Sequence, residues 1–498
     1  MSVRSLPDRL YSAAQTRELD RLAGEAGLSG EQLMERAGRA AFELLVQRWP
    51  EVTRPAILCG GGNNGGDGYV VARLAREAGL QPVIFQDRPV EALKGDALTM
   101  ARRARDLGVP MHSLSPDSLP TEAPVLVDAL LGTGLSGPLR DDKKALIQAL
   151  DRLGKPVLAV DVPSGLAADS GASTGAVLHA SCTLTFIGVN RGLLTGIGPV
   201  CTGELLFEGL GVEARVHRRI DAPVWRPTPA DRARWLPPRQ RDGYKKTYGH
   251  VLVIGGDHGF GGAPMLTAQA AAHAGAGLVS LATRAEHVAP LLARQPEVMA
   301  RAVDDVDQLA PLLERATVVA IGPGLGLDAW GRALLEAALD SGLPLVVDAD
   351  ALTLIAEWRP DARQDWVLTP HPGEAARLLD SGTGAVQGDR FAAVESLAAR
   401  YGGAVLLKGL GTLVRGAEGT ALISDGNPGM GSGGMGDLLT GVIAALRAQG
   451  LPPYPAAALG AMIHARAADG AARRDGERGL LATDLLTDLR RELNGHDH

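Results

Sequence analysis

The stretch that decides the fold is residues 55–78, PAILCGGGNNGGDGYVVARLAREA. Pro55–Cys59 is a short apolar run with the profile of a buried parallel strand, and Tyr69–Ala78 carries a helical pattern. Between them, Gly60–Gly68 places six glycines, two asparagines and an aspartate in nine residues. A tight strand-to-helix turn needs far fewer glycines. Glycine permits positive φ and lets backbone approach a ligand closely. A helix N-terminus adds free amides and partial positive charge, so a phosphate is welcome there. The loop fits neither GxGxxG with a ribose-binding acid nor GxxxxGKS, so an ordinary redox role for a nicotinamide cofactor is not expected.

Outward from this unit, apolar runs at Pro82–Phe85, Val125–Ala129, Val157–Val160 and Thr183–Ile187 read as further strands. Helical patterns at Ala13–Ala26 and Lys143–Leu153 accompany them. Such alternation predicts a doubly wound α/β domain. Residues 221–240 then break the rhythm with five prolines and two tryptophans, and read as a linker. After it the alternation restarts. Val251–Ile254, Leu278–Ala282, Val318–Ile321, Leu345–Val347, Trp366–Leu368 and Val405–Leu407 read as strands. Ala263–Ala274, Ala329–Leu339, Arg390–Arg400 and Met435–Ala448 read as helices. The expectation is α/β throughout: two three-layer α/β/α domains, at 1–220 and 241–498, joined by 221–240.

Composition bounds the function. Hydrophobic residues make up 45% of the 498 and charged residues 21%, enough for two cores that dissolve. Net charge is −7, and the arginines around the linker come without stacking aromatics or a recognition helix, so nucleic acid is not an expected partner. Cys59, Cys182 and Cys201 form no CxxC pair, which argues against a disulfide framework or structural zinc and for a reducing, cytoplasmic setting. No apolar run approaches the ~20 residues that span a bilayer, and Met1–Leu10 lacks the apolar segment of a secretory signal.

Two other strand ends in the first half carry carboxylates. Asp128 leads into Gly132–Pro138, and Asp161 leads into Val162-Pro163-Ser164-Gly165. Each alone could be a loop anchor. Together with the glycine loop they converge on one sheet edge, where carboxylate, amide and hydroxyl oxygens suit a hard cation and another carboxylate can move protons. In the second half, Asn427–Asp437 (NPGMGSGGMGD) leads into an apolar helix. A glycine cluster at a helix start makes an anion hole, and Asp437 in the first turn is placed to take a proton from a hydroxyl beside a bound phosphate.

The segments YSAAQ (Tyr11–Gln15), GGGNNGGDG, VDALLGTGLSGP and VDVPSG resemble the NAD(P)H-hydrate epimerase domain. That resemblance implies a Rossmann-like domain whose Asn63, Asn64, Gly65, Gly66, Asp67, Gly132, Thr133, Gly134, Leu135, Ser136, Gly137, Pro138 and Asp161 hold the hydrated nucleotide. Asn64, Asp128 and Ser164 would bind K+, and Asp161 would be the acid/base at C6 of the damaged ring. The segments IGPGLG, VVDADAL, LTPHPGE, LLKG and GMGSGGMGDLLTG resemble the ribokinase-like NAD(P)H-hydrate dehydratase branch. Ala263, Gly324, His371 and Asp437 would then contact the hydrate. Lys408, Gly409, Leu410, Gly411, Thr412 and Gly436 would contact ADP with Mg2+, and Asp437 would deprotonate the C6 hydroxyl.

The resemblance implies repair of hydrated NADH and NADPH: epimerisation of the R and S hydrates, then ADP-dependent dehydration of the S hydrate to give NAD(P)H, AMP and phosphate. It also suggests a homo-oligomer. The competing reading is a ribokinase-like small-molecule kinase fused to a non-catalytic binding module, which Asp437 and its anion hole would serve equally well.

Overall fold

A computed structural model describes residues 6–134 and 137–495, and the chain divides into two compact units between Trp225 and Arg226.

In the first unit, β2 (Ala56–Cys59), β3 (Val83–Gln86), β4 (Met111–Ser113), β5 (Leu126–Ala129), β6 (Val157–Val160), β7 (Cys182–Phe186) and β9 (Glu204–Glu208) form a wholly parallel sheet in the order β4-β3-β2-β5-β6-β7-β9. Strands β2, β5 and β6 are buried along their whole length, because helices cover both faces. The strand order reverses between β2 and β5, and that topological switch opens a crevice at their carboxyl ends. Three short strands, β1 (Arg9–Tyr11), β8 (Val189–Asn190) and β10 (Val224–Trp225), lie outside this sheet, with β1 between the other two. The helix Ala13–Glu25 starts sharply because Ser12 caps it: Ser12 Oγ accepts from Gln15 N at 3.2 Å, and Gln15 Oε1 accepts from Ser12 N at 2.8 Å.

In the second unit, β11 (His250–Ile254), β12 (Leu278–Thr283), β13 (Met299–Ala302), β14 (Val318–Ile321), β15 (Leu345–Val347), β16 (Trp366–Leu368) and β17 (Ala404–Leu407) are parallel in the order β13-β12-β11-β14-β15-β16-β17. β18 (Thr412–Gly416) and β19 (Gly419–Ile423) extend it antiparallel. Here the switch lies between β11 and β14.

Three local differences from the sequence reading have physical causes. The first helix of the glycine unit runs Asn63–Glu77, not from Tyr69, so the asparagines and three glycines lie inside its opening turns. Packing overrides glycine's poor helix propensity: a Cβ on Gly65 would come within 1.9 Å of Gly60 O, and one on Gly66 within 2.4 Å of Met34 Sδ. Within 221–240, β10 and a short helix, Pro229–Trp235, form where a featureless connector is expected. A Thr228/Asp231 capping box and Pro229 in the first turn suffice to set that helix, and seven residues are too few to show a period. The strands β4, β9 and β13 lie at sheet edges and lack the continuous burial that marks central strands.

Candidate active sites at the two switch points

In the first unit the Asn63–Glu77 helix has Gly62 at its N-cap and no side chain capping it, so its first amides are left for a ligand. Asn64 lies against Gly132, where a Cβ would meet the Asn64 side chain at 3.2–3.6 Å. Both amide atoms of Asn64 are buried without a hydrogen-bond partner. Asp128 is fully buried: Oδ1 accepts from Ser164 Oγ at 2.6 Å and from Leu130 N at 3.2 Å, and Oδ2 accepts from Ser164 N at 2.8 Å. Ser164 Oγ also accepts from Leu131 N at 2.9 Å. Asn64 and the Asp128–Ser164 pair therefore flank one loop, Leu130–Gly132. Burial pushes Asp128 up to about 6, with its hydrogen bonds opposing. A buried carboxylate lacking a basic partner, beside an orphaned amide oxygen, is a donor set that fits a hard cation. Among the described residues no cluster of three or more His, Cys, Asp or Glu side chains could hold a metal, so the oxygen donors here include amide and hydroxyl.

Asp161 follows β6 with φ 68°, a left-handed conformation that a non-glycine residue adopts only when its surroundings fix it. Its amide donates to Leu184 O at 2.8 Å, and its Oδ1 accepts from Thr185 Oγ1 at 3.0 Å. Burial raises it to about 6, against hydrogen bonds to its carboxyl from Thr185 and the Phe186 backbone. Two further carboxyls face it. Asp67 is raised well above the usual carboxylate range by burial, then by Asp161 and Asp20. Asp20, on the Ala13–Glu25 helix, is raised to about 7 by the enclosing protein and then by Asp161. Asp20 carries no motif and was not foreseen; it sits on the polar side of an amphipathic helix remote in sequence from the loops. Gly132, Thr133 and Gly134 follow β5, Thr133 O accepts from Arg17 Nη1 at 3.2 Å, and Gly137, before Pro138, is left-handed at φ 76°. Leu135 and Ser136 lie outside the described residues.

In the second unit six loops gather at the carboxyl edge. Gly256 N and Asp257 N donate to Gly324 O at 2.9 and 2.7 Å, bridging the switch point. Thr267 Oγ1 donates to Asp437 O at 3.0 Å and lies 3.2 Å from Ala263 O, which brings Ala263 to the start of the Met435–Ala448 helix. That helix begins at Gly434, left-handed at φ 91°, again without a side-chain cap. A Cβ on Gly436 would lie 3.3 Å from Lys408 Nζ and 3.7 Å from Asp348 Oδ2, so its bareness leaves backbone open beside the lysine. Lys408 Nζ donates to Asp348 Oδ1 at 2.6 Å, and Thr440 Oγ1 donates to Asp348 Oδ2 at 2.8 Å. Asp348 is held below its ordinary value despite burial, chiefly by Lys408.

Asp437 is pushed up to about 6 by burial and by Asp348, with Lys408 opposing. Glu374 lies 3.9 Å from Lys408 and is raised to about 7, mainly by burial. His371 serves its own backbone: Nδ1 accepts from Gly373 N at 2.9 Å, capping the Pro372–Leu378 helix, while Nε2 stands 3.3 Å from Glu374 Oε1. The Lys408–Thr412 loop is held from beneath by Arg390, whose Nη2 donates to Leu407 O and Lys408 O, both at 3.2 Å, and its Thr412 Oγ1 donates to Gly409 O at 2.9 Å. Asp348, Glu374 and Arg390 were not singled out from sequence. The first two lie inside the quoted motifs VVDADAL and LTPHPGE, which was the available signal.

Two doubly wound sites, each an uncapped glycine-rich helix start with a carboxyl of raised pKa beside it, define a bifunctional nucleotide-handling α/β enzyme class. The comparisons with known proteins are specific. Residues 30–192 match the family described as YjeF-related protein N-terminus, and residues 251–491 match NAD(P)H-hydrate dehydratase. The bifunctional NAD(P)H-hydrate repair enzyme Nnr of Coxiella burnetii is 48% identical over 97% of this chain and 98% of its own. That of Escherichia coli K12 is 42% identical over 98% and 95%. A ribokinase-like superfamily protein from Enterococcus faecalis V583 superposes with TM-score 0.52 at 29% identity, covering 56% of this chain and 98% of its own. This chain belongs to the bifunctional NAD(P)H-hydrate repair enzyme family.

Proposed function

We propose that the first domain (1–220) interconverts the R and S hydrates of NADH and NADPH, and that the second (241–498) dehydrates the S hydrate using ADP, releasing AMP and phosphate. The observation that carries this is Asp437: a carboxyl held near neutrality in the first turn of an uncapped helix, beside Lys408. There it takes the C6 hydroxyl proton of the hydrate while the anion hole of Gly434, Met435 and Gly436 and the Lys408 ammonium receive phosphoryl oxygens. Ala263, Gly324 and His371 surround the ring, and Lys408–Thr412 with Gly436 hold the adenine nucleotide. Loss of phosphate from C6 restores the dihydropyridine. Magnesium with ADP would neutralise phosphate charge; the buried Glu374 and half-buried Asp437 carboxyls supply oxygen donors that fit it.

In the first domain Asp161 is an acid/base group at C6, and Asn63–Asp67 with Gly132–Pro138 hold the nucleotide. Asn64, Asp128 and Ser164 would bind K+, which would fix the Leu130–Gly132 loop and offset substrate phosphate charge. The cytoplasmic setting rests on three cysteines that are all free and buried, and among the described residues no helix is long and apolar enough to cross a membrane. Assembly of like chains is proposed on the resemblance alone.

The test is the near-ultraviolet absorbance of dihydronicotinamide after adding protein, Mg2+ and ADP to mixed NADH-hydrate epimers. A nucleotide-dependent rise consuming both epimers is expected. Accumulation of a stable phosphorylated alcohol instead would make the protein a kinase.

A further inference from the structure

The epimerase chemistry has a requirement that one acid–base group does not meet. Hydroxide leaves C6 from one face of the ring and returns to the other, so protons are exchanged on both faces. Three carboxyls interact electrostatically at this sheet edge: Asp161 just after β6, Asp67 on the Asn63–Glu77 helix, and Asp20 on the Ala13–Glu25 helix. The last helix is tied over the crevice at two points. Ala13 N donates to Asp169 Oδ1 at 2.7 Å, and Arg17 Nη1 donates to Thr133 O at 3.2 Å. Asp20 is one turn beyond Arg17 on the same helix face. At the same sheet edge the buried Asn64 amide has no protein partner on either atom.

Resting on the epimerase reading above, we infer that Asp20 is the second acid–base group of that site, serving the ring face that Asp161 does not.

The groups around Asp20 suit this role. Asp161 and Asp67 face it, Arg17 is engaged by Thr133 O, and the Arg21 guanidinium is engaged by Glu18 and Glu25. Asp20 is exposed and so exchanges protons with solvent, while desolvation and the charge of Asp161 push its carboxyl up to about 7. In the forward step the Asp20 carboxylic acid protonates the C6 oxygen. The C6–O bond breaks with its electron pair going to oxygen, water departs, and the N1 lone pair forms the C=N bond of an iminium. Water then adds to C6 from the other face and gives a proton to the Asp161 carboxylate. Asp20 ends ionised and Asp161 protonated, which is the starting state for the reverse step.

The experiment uses full-length Asp20→Asn, Asp20→Glu and Asp161→Asn, each purified hydrate epimer, and water enriched in heavy oxygen. Asp20→Asn is expected to lower the inversion rate by about 10²-fold or more and to abolish one limb of its pH profile. One epimer should still exchange its C6 oxygen without inverting, which also shows that the site is folded. Asp20→Glu should recover most of the rate. Inversion by Asp20→Asn at the wild-type rate with an unchanged pH profile would overturn the proposal while leaving Asp161 in place. So would loss of exchange and inversion together without rescue by Asp20→Glu. Full activity in Asp161→Asn would instead overturn the reading on which the proposal rests.

Discussion

The two switch points solve the same geometric problem with opposite electrostatics. At β2/β5 desolvation raises the carboxyls Asp20, Asp67 and Asp161, the charge of Asp161 raises the first two further, and among the described residues no lysine or arginine forms an ion pair with them. At β11/β14 the central carboxyl Asp437 shares its site with Lys408, which is itself fixed by Asp348 and near Glu374. Carboxyls without a cation stay protonatable near neutrality, which suits moving a proton to and from a hydroxyl. A lysine beside an anion hole suits a phosphoryl group, whose charge must be met as it transfers. On the reading proposed above, the same loop architecture serves an isomerising or a phosphoryl-dependent site according to whether a lysine stands beside the acid–base carboxyl.

The sharpest break of this comparison is a crossed pair of variants. Asp437→Asn is expected to lower dehydration by about 10²–10⁴-fold with epimerisation retained, and Asp161→Asn to do the reverse. Single-epimer turnover assays distinguish them, and equal loss of both activities in either variant would merge the two sites. Next in size, Lys408→Met leaves Asp348 buried without its cation. Destabilisation of about 3–5 kcal/mol is expected, read as a lower denaturant midpoint for the second unit, with no counterpart in the first. A smaller effect is expected of Ser164→Ala, which removes the 2.6 Å hydrogen bond to the fully buried Asp128. A loss of about 1.5–3 kcal/mol follows for a bond to a charged group, measured in the first unit's melting.

The smallest and most diagnostic effect is pH dependence. Asp437 must be ionised to act as a base, and burial holds it up to about 6. Dehydration should therefore rise tenfold per unit as pH increases toward about 6 and level off above it. Epimerisation needs one carboxyl protonated and one ionised. With Asp161 raised to about 6 and Asp20 to about 7, its profile should be bell-shaped, with apparent values belonging to the coupled group. A flat epimerase profile across that range would remove the electrostatic contrast.

Much of this was legible in the chain. Central strands such as Val157–Val160 and Val318–Ile321 announce themselves because burial on both faces demands continuous apolar runs. The loops after them are legible because phosphate-binding backbone requires glycine. Gly60–Gly68 and Asn427–Asp437 therefore stand out in the chain as loop-to-helix junctions at the two sheets' carboxyl edges.

What only the tertiary structure decided is which remote groups share each crevice and how their charges add. Asp20 comes from a helix more than a hundred residues from Asp161, and nothing local distinguishes it from a solvated surface acid. Asp348, Thr440 and Lys408 meet from three separate elements, so their network exists only once the sheet is formed. Backbone conformation is dictated by neighbours in sequence, and a glycine declares it. A pKa is set by desolvation and by charges a few ångströms away in space, and only the fold brings those together.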